Sequence, residues 1–70
     1  MLDIESDMNY PEKIKEYRNK TLITQTELAK KLGVSFASVN RWEKGRFEPT
    51  MKIKRKLRTL FNEAGIKEDF

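Results

Sequence analysis

The tightest constraint on this chain is a corner. Two segments with helical signals, one opening at Thr24 and the next at Ser35, lie only three or four residues apart across Gly33, Val34 and Ser35. On the first, "TQTE" (24–27) predicts a capping box, in which Thr24 covers the Glu27 amide and Glu27 reaches back. Leu28, Ala29 and Leu32 then give the i, i+1, i+4 stripe of a short helix. Gly33 ends it, because glycine enters the left-handed conformation without penalty, and Val34 can fold back on the stripe. Ser35 caps the next helix, which ends near Gly45. Two helices joined this closely must meet at a sharp angle.

The rest of the chain is punctuated in the same way. "NYPE" offers Asn9 or Tyr10 as a cap, with Pro11 in the first turn, where its missing N–H costs nothing. Ile14, Tyr17 and Arg18 follow at helical spacing. Pro49 and Thr50 start a last helix carrying Met51, Ile53, Leu57, Leu60 and Phe61. Gly65 stops it, and Ile66 can close on Phe61. No segment alternates at period two for more than a few residues. The expectation is an all-α fold of four main helices, with a helix-turn-helix arrangement at its centre. Residues 1–8 are expected to form a flexible acidic leader, 9–66 the folded domain and 67–70 a tail.

Composition removes several function classes. With no Cys and no His among 70 residues, there is no disulfide framework, no cysteine-based zinc site and no imidazole base or ligand. The acids are scattered, and the three glycines stand at expected helix ends, outside any phosphate-cradling loop. An enzyme acting alone is therefore not expected, nor is a cofactor, a metal or a small-molecule substrate. The short apolar runs predict no membrane span, and the acidic start predicts no signal peptide. A soluble, cytoplasmic protein follows. The net charge is +4, but residues 10–70 hold all 15 Lys and Arg against 8 acids, a balance of +7. That balance fits a polyanionic partner or a solvated surface equally well.

The third helix separates those readings. At about 100° per residue, Val39 and Trp42 fall on one side. Phe36, Ala37, Asn40, Arg41 and Lys44 fall on the other, with Ser38 and Glu43 flanking. The outer side contains no acid and is rich in groups suited to base edges. Arg makes paired hydrogen bonds to guanine, Asn to adenine, and apolar groups meet the thymine methyl. It reads as a surface for the DNA major groove, with Trp42 in the core.

The run "TQTELAKKLGVSFASVNRWEKGRFEPT" resembles the Cro/cI-type helix-turn-helix, the lambda-repressor-like or xenobiotic-response-element family. The matching elements are "TQ", "ELA", "LGVS", "WEKG" and "EP", in order and at family spacing, and the resemblance covers roughly residues 12–61. It implies a compact bundle of four or five helices that binds double-stranded DNA to regulate transcription, usually as a homodimer. By resemblance, Gln25 touches the DNA backbone. Phe36, Ala37, Ser38 and Arg41 occupy base-contacting positions, with Asn40 on the same face. Lys44 and Arg46 resemble a phosphate-clamping loop. Arg18 and Glu43 resemble an ion pair tying the first helix to the third. Ser35 is first a cap, with a phosphate contact in addition.

Three positions depart from the family pattern. Leu22 stands where glycine is common, which bears on the shape of the first turn. Phe36 replaces a polar reader, and either meets a thymine methyl or packs on the protein. Lys54 stands where an apolar residue is common, which implies a rotated stripe on the last helix and bears on dimer geometry. Phe47 is expected to pack on Trp42 or the last helix. The basic run 52–58 is open between a solvated face, flanking phosphates, and an anionic membrane or acidic partner. Two other functions compete with a regulator: a protein-interaction module of antitoxin or adaptor type, and the DNA-targeting domain of a larger enzyme.

Overall fold

A computed structural model describes residues 9–66; the expected leader over 1–8 and tail over 67–70 lie outside the described residues. Four helices follow in order: α1 (Tyr10–Thr21), α2 (Gln25–Leu32), α3 (Phe36–Glu43) and α4 (Met51–Glu63). There is no strand among the described residues.

Each helix begins on a side chain that accepts an otherwise orphaned amide. Asn9 Oδ1 accepts from Glu12 N–H at 3.2 Å, and Ser35 Oγ from Ser38 N–H at 3.1 Å. Thr50 Oγ1 accepts from Ile53 N–H at 3.4 Å. The capping box is complete: Glu27 N–H donates to Thr24 Oγ1 at 3.0 Å, and Thr24 N–H to Glu27 Oε1 at 2.8 Å.

Each helix also ends in the same way. The second residue beyond the last turn donates its amide back to a carbonyl five residues earlier, as in Val34 to Ala29 at 2.9 Å and Ile66 to Phe61 at 2.8 Å. A left-handed residue makes that reversal possible. Glycine supplies it after α2, α3 and α4. After α1 it is Leu22, at φ 60 and ψ 42. The first turn is thus not reshaped by the missing glycine; leucine takes the glycine conformation, with its side chain 87% exposed.

The core joins all four helices. Ile14, Leu28, Leu32, Val39, Leu57 and Phe61 are fully buried, and Ile23, Val34, Leu60 and Ala64 pack against them. Tyr17 and Phe61 meet with ring centroids 6.0 Å apart. Both α3 and α4 pack against α1 and α2. Burial at this density, rather than the propensity of two eight-residue helices, holds the short elements in place.

On α4 the buried residues are Ile53, Lys54, Leu57 and Phe61, while Met51 is half exposed. The stripe is therefore not rotated away from Lys54; the lysine lies within it. Its alkyl stem covers core surface while Nζ reaches Glu48 Oε1 at 2.9 Å and sits 5.3 Å from the Tyr10 ring centroid. Farther along the same run, Lys56 Nζ donates to the Leu32 carbonyl at the end of α2, at 3.3 Å. At least two residues of the basic run thus serve the fold.

Candidate nucleic-acid interface

The 3.6-residue period of α3 sorts its side chains cleanly. Val39, Trp42 and Glu43 are buried. Phe36, Ala37, Arg41 and Lys44 are exposed, and Ser38 and Asn40 are half-buried beside them. The indole points inward and the guanidinium outward, as the spacing of about 100° per residue predicts. Phe36, at 51% exposure, is on the open side rather than packed away. Ser35 sits exposed at the helix start, its hydroxyl 3.1 Å from that of Ser38.

Glu43 fixes the orientation of this helix. Arg18 donates from Nε to Glu43 Oε2 at 2.5 Å and from Nη2 to Oε1 at 2.8 Å. Gln25 Nε2 donates to the same Oε1 at 3.0 Å. One carboxylate therefore binds groups from α1 and α2 to α3. Burial alone would push the Glu43 carboxyl up. The hydrogen bonds from Arg18 and Gln25, with the charges of Arg18 and Lys15, outweigh it and hold the group below the ordinary carboxylate value. The Glu43 hydrogen bond in turn raises Arg18, against the opposing effect of burial. The predicted ion pair is present, with Gln25 as a third member. The amide of Gln25 is directed by this bond, and its side chain is half-buried rather than free.

Beside this network opens a cleft of about 550 Å³ lined by Lys15, Gln25, Asn40, Glu43, Lys44 and Arg46. Because Glu43 is paired with Arg18, the three remaining ionised groups in the lining are cations. Gly45, at φ 74, turns the chain so that Lys44 and Arg46 reach the same cleft. Sequence reasoning missed Lys15, one exposed lysine among several on α1, which no spacing distinguishes. It also misplaced Phe47. That ring is 61% exposed, and its neighbour is the Arg41 guanidinium, 5.5 Å from the ring centroid.

The face thus combines a flat fork of donors at Arg41, a carboxamide at Asn40, an apolar surface at Phe36 and Ala37, and a cationic cleft at its edge. Among the described residues, no group of acids is placed to hold a metal ion, and no helix is long and apolar enough to cross a membrane.

Two short helices at a sharp corner, the second with its polar side outward and locked from behind, define a helix-turn-helix module. The chain belongs to the helix-turn-helix family of Cro/cI type, whose profile matches residues 14–64. It is 42% identical over 58 residues to an uncharacterized HTH-type transcriptional regulator of Archaeoglobus fulgidus, covering 83% of this chain and 80% of that one. A second such regulator from the same organism is 40% identical over 50 residues, or 71% of each chain. One from Methanocaldococcus jannaschii is 43% identical over 49 residues, covering 70% of this chain and 74% of its own. No solved structure matches significantly.

Proposed function

We propose that this protein regulates transcription by binding a specific double-stranded DNA site, with α3 in the major groove. The observation that carries the reading is the sorting of α3: its exposed side is free of acid and presents Phe36, Ala37, Asn40, Arg41 and Lys44, while Glu43 is buried against Arg18. Eight residues make a helix of about 12 Å, comparable with the width of the groove.

In this reading Arg41 pairs with a guanine, and Asn40 and Ser38 meet neighbouring base edges. Phe36 and Ala37 contact a thymine methyl. Lys44, Arg46 and Lys15 place a phosphate at the cationic cleft. Gln25, already directed by Glu43, adds a donor there, and Ser35 adds a backbone contact at the helix start. Phosphate contacts supply affinity, and base contacts supply choice. The protein acts in the cytoplasm, as a homodimer on a two-fold symmetric site with half-sites about one helical turn apart.

Selection of bound sequences from a random duplex pool at stated salt tests this. The expected result is a symmetric motif. Arg41→Ala should relax one base pair at a cost of about 1–3 kcal/mol. Lys44→Ala should weaken all sequences alike and flatten the salt slope. Identical behaviour of the two variants would refute the division between reader and clamp.

A further inference from the structure

We infer that Phe47 is a positioning residue for Arg41, holding the guanidinium by a cation–π contact on the open face of α3. The inference rests on the reading of α3 as the base-contacting helix. Three observations carry it. The Arg41 Cζ atom lies 5.5 Å from the Phe47 ring centroid. The ring is 61% exposed, so its placement is not explained by burial in the core. The backbone also brings the two together. After the left-handed Gly45, the Arg46 amide donates to the carbonyl of Arg41 itself at 3.0 Å, and the Gly45 amide donates to the Trp42 carbonyl at 3.0 Å. The residue before the ring is therefore pinned to the residue whose side chain the ring meets. Tyr10 and Pro11 line a small cleft with Phe47, so the ring stands beside the start of α1.

The chemistry suits a reader. A guanidinium can meet a ring through its flat face. Its N–H donors lie in the plane and stay available for the paired acceptors of a guanine. An arginine already held against a ring also loses less rotamer freedom when it meets a base. The ring thus improves the contact without touching the DNA.

The test compares wild type, Phe47→Ala, Phe47→Tyr, Arg41→Ala and the Phe47→Ala/Arg41→Ala double variant in duplex selection. Phe47→Ala should reduce discrimination about two- to fivefold at the one base pair that Arg41→Ala erases, leaving other positions unchanged. Phe47→Tyr should restore it, and Phe47→Ala should add nothing once Arg41 is gone. In the free protein, the Arg41 δ-protons should show a ring-current shift that Phe47→Ala abolishes and Phe47→Tyr retains. Uniform loss across all positions, additive loss in the double variant, or an unchanged Arg41 signal in Phe47→Ala would overturn the inference. The first two outcomes leave the role of α3 intact. A wild-type protein that selects no motif would instead remove that role, and the proton shifts would still decide whether the ring holds the arginine.

Discussion

The α1–α2 and α2–α3 turns follow one three-residue plan with different residues in it. Each has a left-handed residue, then a half-buried aliphatic side chain folded onto the core, then a hydroxyl cap. The first is Leu22, Ile23 and Thr24; the second is Gly33, Val34 and Ser35. Each is braced by a basic side chain on a carbonyl, Arg18 on Ile23 at 3.5 Å and Lys56 on Leu32 at 3.3 Å. The first brace is anchored in the Glu43 network, whereas the second comes from an exposed lysine. The second turn has the residue best suited to its backbone. The first carries conformational strain at Leu22, beside the brace whose arginine is also tied to Glu43. One turn geometry can thus be specified locally by glycine, or imposed by tertiary contacts on a residue that disfavours it.

The largest effect should come from removing the anchor of the first brace. Glu43→Gln leaves the Arg18 guanidinium without its carboxylate and should cost about 3 kcal/mol in urea unfolding, the lower end for a broken buried pair because Arg18 is partly exposed. The pH dependence follows from the same group. Its folded-state value lies below the unfolded one, so its stabilisation is present above about pH 4.3 and is lost as pH falls through the folded value. Urea midpoints should drop on acidification through that window, and Glu43→Gln should remove this component.

Next comes Gly33→Ala, which should cost about 1–2 kcal/mol from the left-handed backbone alone, since a Cβ there would meet nothing within 4 Å. The complementary change, Leu22→Gly, should stabilise by about 0.5–1 kcal/mol in the same assay. It relieves strain, loses no burial, and gives back part of the gain as unfolded-chain entropy. A loss of stability in Leu22→Gly would break the comparison. The smallest effect, under about 0.5 kcal/mol, should come from Lys56→Met, since that lysine is exposed and its hydrogen bond only partly buried.

The sequence makes the local features legible and hides the tertiary ones. The capping box, the Ser35 cap, the Gly33 corner and the inward Trp42 depend on residues a few positions apart, so pattern reveals them. Propensity argues against Leu22 in a glycine conformation, and only the family's glycine at that position points to it. Lys54 looks like a break in an apolar stripe because a one-letter pattern ignores its four-carbon stem. Gln25 looks free until Glu43, eighteen positions away, is placed beside it. The pairing of Phe47 with Arg41 depends on how the Gly45 reversal aims the following residues. Within the candidate interface, therefore, the outer face of α3 was readable. Its supports were not, apart from the Arg18–Glu43 pair suggested by family resemblance.

Because one carboxylate ties three helices together, tilting α3 alone would break its hydrogen bonds to both α1 and α2. If α3 enters the groove as proposed, a helix tied in this way has little compliance to offer an imperfect site. On a poorly matched site the duplex must do the bending, and the stiffness of the DNA becomes part of the selection.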